Sequence, residues 1–195
     1  MVLFKKKIKR ILFLLAIKKA KRVAIGSASV TQKGWISTNI EDLDLTSKDD
    51  FYKYWEPNTL EGFFAEHVWE HLTLEEGIKA SKNCYEFLKK GGSLRIAVPD
   101  GLHPDRKYID YVKPGGTGNG SEDHKILYTY KTLGSSLREV GFRIELLEYW
   151  DENKDFHYQP WDADQGLVRR SMSYDWRNVR GKLNYTSIIV DAIKD

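Results

Sequence analysis

The chain has a single cysteine, no apolar run near the length of a bilayer, no biased or repetitive segment, and not one acidic residue in its first 22 positions. Each absence excludes something. Cys84 alone cannot close an internal disulfide and has no companions for a metal knuckle, so a reducing compartment, the cytoplasm, is expected. The early apolar run Ile11 to Ile17 has seven residues, against the ~20 that cross a bilayer. Basic residues from Lys18 to Arg22 stand where a signal peptide would carry its polar cleavage region, so secretion is not expected. A composition of 41% hydrophobic and 30% charged residues is that of a soluble globular protein, and 195 residues suffice for one domain with a sizeable core.

What is present first is an asymmetry of charge. Nine Lys or Arg crowd residues 1–22, leaving 22 bases against 28 acids in the remainder, a body of net −6. That body repels phosphate backbones, so no nucleic-acid partner is expected. On a helix, Phe4, Ile8, Ile11, Leu12 and Leu15 share one face while Lys6, Lys9 and Arg10 point away, the pattern of an interfacial helix drawn to anionic lipid. The alternative is a basic helix packed on the domain's own surface or on a partner. Residues 1–22 are therefore read as a basic amphipathic segment and 23–195 as the domain.

Within the domain, Val23 to Ile25 reads as a strand that ends in a tight turn at Gly26. Trp35 to Ile40 reads as a second strand, too close to the first for a full helix between them. Asp42 to Trp55 reads as loop with one helical turn, and Leu60 to Ala65 as a third apolar segment. Thr73-Leu74-Glu75-Glu76 spells a capping box that starts a helix, with Gly91-Gly92 as its expected end. "SLRIAVPD" follows as a buried strand stopped by Pro99. Asp100 to His124 reads as a glycine-rich loop, Lys125 to Val140 as a helix ended by Gly141, "RIELLEYW" as a strand, 151–182 as irregular, and "YTSIIVDAIK" as a last strand. Alternating strands and helices imply a mainly parallel sheet with helices on its faces.

Two clusters stand out as chemistry. His67-x-x-Glu70-His71 has the spelling of a zinc-peptidase helix, which requires both imidazoles on one helical face, Glu70 as base, and a distant acid such as Glu145 or Glu148 as third ligand. The helix start at Thr73 opposes it, leaving His67 at a strand end; no metal site is expected. "VRRSMSYDWRN" gathers Arg169, Arg170 and Arg177, whose guanidinium groups suit phosphate or carboxylate, the alternative being an ion-paired surface loop. Trp161 and Trp176 either stack on a sugar or anchor their loops.

"VAIGSAS", "GWISTNI", "FFAEHVWEHL", "FLKKGGSLRIAVPDG" and "LREVGFRIELLEYWD", in this order, resemble class I S-adenosylmethionine-dependent methyltransferases, in particular small bacterial members linked to cell-surface polysaccharide assembly. The resemblance covers about residues 23 to 193. It implies a doubly wound, Rossmann-like, mainly parallel sheet with an abbreviated first crossover and an antiparallel last strand. It implies S-adenosylmethionine as cofactor, held by Gly26, Ser27 and Ala28 of the glycine loop and by Asn39 or Asp42 at the ribose, with Glu66 nearby. Here Ala28 replaces the loop's second glycine, and Asn39 stands where an acid is usual. Glu66 and His67 would emerge toward the reacting methyl, with His67 either a polariser or base or a hydrogen-bonded structural histidine. Asp100, His103, Asp123 and His124 would bracket the acceptor, the alternatives being a turn residue at Asp100 and a helix cap at Asp123, and Arg169, Arg170 and Arg177 would bind it. The acceptor expected is a small polar molecule or glycan. The alternative is a non-catalytic relative acting as a binding or scaffold protein.

Overall fold

The computed structural model describes residues 2–27 and 32–195, with side chains from residue 7 onward. Ala28 lies outside the described residues, as does the side chain of Phe4. A first helix, α1 (Val2–Lys19), precedes β1 (Arg22–Ile25), β2 (Ile36–Ser37), α2 (Lys48–Tyr52), β3 (Leu60–Glu66), α3 (Leu74–Phe87) and β4 (Leu88–Pro99). Then come α4 (Arg106–Val112), α5 (Tyr130–Val140), β5 (Arg143–Trp150), β6 (Phe156–Tyr158) and β7 (Ser187–Ile193).

The seven strands form one sheet in the order β2-β1-β3-β4-β7-β5-β6. Pairs β1/β2, β1/β3 and β3/β4 are parallel, while β7 lies antiparallel between β4 and β5. Thus β1 to β5 all point one way, and β7 and the edge strand β6 run against them. This is the Rossmann-like α/β arrangement. The chain leaves β1 for β2 on one side and returns to β3 on the other, so strand order reverses at β1, and a crevice opens beyond the carboxyl ends there.

Sequence pattern decides which face each residue serves. Along β4, Leu94, Ile96 and Val98 enter the large core beneath the helices, while Arg95 and Ala97 point to the other face; successive strand residues alternate. Helix α3 turns Ala80, Cys84 and Phe87 into the large core, and its start carries the expected capping box, Thr73 Oγ1 accepting from Glu76 N and Glu76 Oε2 accepting from Thr73 N. The opposite face holds Ala24, Phe64, Ala97, Leu147 and Ile189, covered by Val168 and flanked by Trp35 and Trp161. Irregular chain covers it, tied down by Arg95, which donates to Asp191 at 2.7 Å twice and to the carbonyls of Asp162 (2.7 Å) and Gly166 (2.9 Å).

Five expectations about elements are corrected. Helix α3 ends at Phe87, because Leu88 is already extended; Gly91, at φ +76°, forms a bulge inside β4, where its N–H donates to Lys194 O at 2.7 Å. Helix α5 starts five residues later than expected, capped by Thr129 paired with Thr132. The glycine-rich loop contains α4, and the irregular stretch after β5 contains β6. The second strand is only two residues long.

Helix α1 lies on the domain. Ile17 is fully buried, Phe13 packs against the large core, and the carbonyl of Ile17 accepts from Trp55 Nε1 at 2.9 Å. Arg10 is ion-paired with Asp42. The other side of the helix leaves Ile8, Ile11, Leu12 and Leu15 exposed. No helix among the described residues is long and apolar enough to cross a membrane.

Candidate functional site

Strand β3 delivers the centre of the site. Glu66 is its last residue, and at His67 the chain turns sharply, with φ +57° and its N–H donating to Ala97 O at 2.8 Å. A 3₁₀ turn over Trp69–His71 follows, and then the cap of α3. His67 and His71 therefore share no helical face, and the peptidase arrangement does not form. Glu145 is exposed and paired with Arg143; Glu148 accepts from Trp161 Nε1 and Met172 N. Neither joins the histidines.

Burial sets the protonation of this turn. Glu66 accepts from Arg170 N at 2.8 Å; its pKa is raised by burial, and the Arg170 charge opposes that only in part. His67 has Nε2 3.0 Å from Ser187 Oγ. Burial, reinforced by the Arg170 charge, pushes its pKa well down, so the ring is neutral at pH 7. Its Nδ1 lies 3.2 Å from Glu70 Oε1, but out of line for a hydrogen bond, and both Glu70 oxygens are buried without a hydrogen-bond partner among the described residues. Burial drives the Glu70 pKa to about 8. His124 Nδ1 sits 2.7 Å from the carbonyl of Val112, which can only accept, so that nitrogen carries the proton. Its Nε2 lies 4.0 Å from Glu70 Oε1. The His71 and His124 rings meet edge to face at 4.7 Å.

Three cavities share this turn, and His67 lines all of them. The largest, about 810 Å³, lies over the ends of β1 and β2; Ile40, Leu43, Leu45 and Leu72 give it an apolar side, and Asn39 and Glu41 a polar one. A second, about 730 Å³, is lined by Arg169, Arg170, Arg177, Tyr174, Trp176 and Tyr185, among others. The smallest, about 260 Å³, joins Gly26 and Ser27 to Glu66, His71, His124 and Arg170. In the second cavity three arginines face two acids, Glu66 and Asp175, an excess of one positive charge. Asp175 holds Arg177 at two points, 2.8 and 2.6 Å, and the guanidinium lies 3.3 Å from the centre of the Tyr185 ring.

The expected residues divide accordingly. Gly26, Ser27, Asn39, Glu66, His67, His124 and the three arginines line the cavities. Gly26 has φ +58°, and a Cβ there would come 2.7 Å from Val68 Cγ2, so the close approach that demands glycine is to the turn after β3. Asp42 lies apart, accepting from Asn39 N and paired with Arg10. Asp100 is fully buried, accepting from Leu102 N and Trp150 N. His103 stacks on Tyr108 at 4.0 Å and bonds Asp105 N and the Leu183 carbonyl; it reaches none of the three cavities, because α4 folds over it. Asp123 is exposed beside His71 and lines none of them. Tyr111, Tyr174 and Tyr185 line the arginine cavity without any signal in sequence, since α4 and the segment after Gly166 reach it only through the fold.

No family model matches the chain, and no curated protein matches it. Solved structures do. A SAM-dependent methyltransferase from Archaeoglobus fulgidus is 20% identical with a TM-score of 0.54, covering 98% of this chain and 93% of its own. An S-adenosylmethionine-dependent methyltransferase from Mesorhizobium loti is 12% identical with a TM-score of 0.53, covering 93% and 95%. A third, from Thermotoga maritima, is 13% identical with a TM-score of 0.51, covering 94% and 88%. At these identities the likeness establishes a shared fold.

Proposed function

We propose that this chain binds S-adenosylmethionine in the larger cavity and methylates an anionic acceptor held among the arginines. The observation that carries the reading is the position of His67, on the rim between a nucleoside-sized, half-apolar cavity and an arginine-lined one, at the carboxyl ends of the parallel strands. Ligands of open α/β sheets bind at such a crevice. The residues present fit the cofactor: Ile40, Leu43, Leu45 and Leu72 offer a flat base an apolar wall, Asn39 and Glu41 offer ribose hydroxyls polar partners, and Ser27 Oγ is buried with no partner among the described residues.

When bound, the cofactor supplies an electrophilic methyl carbon. The chain's own residues orient the partner. Arg169 and Arg170 neutralise an acceptor carboxylate or phosphate, and Arg177, locked by Asp175 over Tyr185, gives that charge a fixed seat. Trp176 and Tyr174, both largely exposed, offer faces for a sugar ring. A sugar acid or sugar phosphate is the acceptor class that fits, in keeping with surface-polysaccharide chemistry. His67, kept neutral, stands at the junction with its Nε2 3.0 Å from Ser187 Oγ and holds the turn that separates donor from acceptor. Positioning of this kind is the main contribution a methyl-transfer site makes.

Calorimetric titration with S-adenosylmethionine and its demethylated product tests the reading. Ile40 is 73% exposed, so Ile40→Asp leaves the fold intact while removing an apolar contact, and affinity should fall about tenfold. Absence of binding at millimolar ligand would leave the non-catalytic binding protein as the surviving reading.

The second reading concerns α1, whose Phe13 and Ile17 side is used by the core while Ile8, Ile11, Leu12 and Leu15 face outward beside Lys7, Lys9 and Lys18. An apolar stripe flanked by bases and free of acids fits an anionic membrane surface. It would place the protein peripherally on the cytoplasmic face.

A further inference from the structure

Glu70 is the least comfortable residue in the molecule. Its side chain is fully enclosed, and neither oxygen has a hydrogen-bond partner among the described residues. An enclosed acid without donors is costly unless a proton or a cation neutralises it. The nearest ring nitrogens are His67 Nδ1 at 3.2 Å, out of line for a hydrogen bond, and His124 Nε2 at 4.0 Å. His124 sets its Nδ1 on the Val112 carbonyl and turns Nε2 toward Glu70. His71 meets His124 edge to face at 4.7 Å.

We propose that Glu70, His71 and His124 bind a divalent transition-metal ion at the junction of the cavities. Their ligand atoms all lie within 4.8 Å of one another. Two donors at about 2.1 Å from a common ion stand at most about 4.2 Å apart, so a small turn of the half-buried His71 ring completes the contact. The Nδ1–H of His124 on a backbone carbonyl is the outer bond that fixes the tautomer and direction of a metal-binding imidazole. One carboxylate with two imidazoles selects ions from Mn²⁺ to Zn²⁺ over Mg²⁺ and Ca²⁺, which prefer all-oxygen sites. His71 lines the larger cavity as well as the small one, and His124 lines the small one and the arginine cavity. Open coordination positions therefore face the space where the two compartments meet.

This set differs from the zinc-peptidase spelling. Glu70 is a ligand instead of a base, His67 stands aside with its Nε2 on Ser187, and the third ligand arrives from residue 124, past α4. An ion here would hold an acceptor oxygen and favour its deprotonated form, which the buried, neutral His67 is poorly suited to do. That use of the ion rests on the methyl-transfer reading; the binding of the ion does not.

The test is titration of the full chain, stripped with a chelator, with Co²⁺ alone, followed by its visible absorption and by calorimetry. One saturable equivalent is expected, weakened at least about tenfold in His124→Ala and in Glu70→Gln, with circular dichroism unchanged. His71→Ala, at a half-buried position, guards against loss of fold in the other two, and His103→Gln should bind as the parent does. Absence of a saturable equivalent, or binding unaffected by all three ligand substitutions, overturns the site and leaves a protonated Glu70. Calorimetry of the stripped chain with S-adenosylhomocysteine separates the two readings: cofactor binding without Co²⁺ binding defeats only the metal site, and the converse defeats only methyl transfer.

Discussion

At the scale of single residues, the turn 66–71 and the loop 100–105 show how burial sorts similar side chains into different work. His67 and His124 face cavities, whereas His103 has both ring nitrogens bonded, Nδ1 accepting from Asp105 N and Nε2 donating to Leu183 O. A second proton on Nδ1 would break the first of these. Burial accordingly lowers the His103 pKa to about 4. Because the folded value is depressed, its contribution is present above the unfolded value near 6.5 and is lost as pH falls through 6.5 toward 4. Asp100, pushed up to about 6 by burial, acts with the opposite sign, its contribution fading as pH rises from about 4 to 6. His103→Gln removes only the first. Urea midpoints measured across pH 7 to 4 should show the variant gaining on the parent as acidity rises, by about 1.4 kcal/mol per unit at most; parallel profiles would contradict this account. The HxxEH spelling was legible in sequence, but which histidines meet Glu70 was not, since residue 124 arrives from 54 positions away.

Among the elements, those with strong local signals formed where expected. The capping box at Thr73 and the glycine at 141, with φ +111°, bound their helices by short-range chemistry. Helix α4 and strand β6 were missed because each is short and takes its stability from what it packs against. Helix α1 lies between these cases. Its amphipathic face was legible, yet the structure uses a different side for docking, Phe13 and Ile17, and leaves the legible face outward. Deleting residues 1–22 would therefore uncover Trp55 as well as remove the stripe, and it cannot isolate a lipid role. Leu12→Glu with Leu15→Glu can, since these residues are 60% and 55% exposed. Flotation with phosphatidylglycerol vesicles should be lost in that double variant with the melting temperature held within a few degrees. Flotation that persists would refute the membrane reading.

For the whole molecule, the decisive interaction is Arg95. It is 1% exposed, and it joins β4, β7 and the segment around Asp162 and Gly166 in one bonded group. That segment continues into Val168, which seals the second face, and into Arg169 and Arg170 at the site. Arg95→Met strands Asp191 as an unpaired acid, 15% exposed in side chain, and should cost about 3–5 kcal/mol in denaturant unfolding. The double variant Arg95→Met, Asp191→Leu should recover a substantial part. Equal loss in both would show that the carbonyl contacts, instead of the ion pair, carry the energy.

The sequence by itself determined β1, β3, β4, β5 and β7, the start of α3 and the order of motifs along the chain, because hydrophobic period and capping act over a few residues. It also carried the resemblance to the methyltransferase fold that solved structures share. Only the tertiary structure decided that Glu70 is enclosed without a hydrogen-bond partner among the described residues, that His124 turns Nε2 toward it, and that Arg95 straps irregular chain over the second sheet face. Those outcomes depend on which distant segments exclude water from one another, and no local pattern encodes that exclusion.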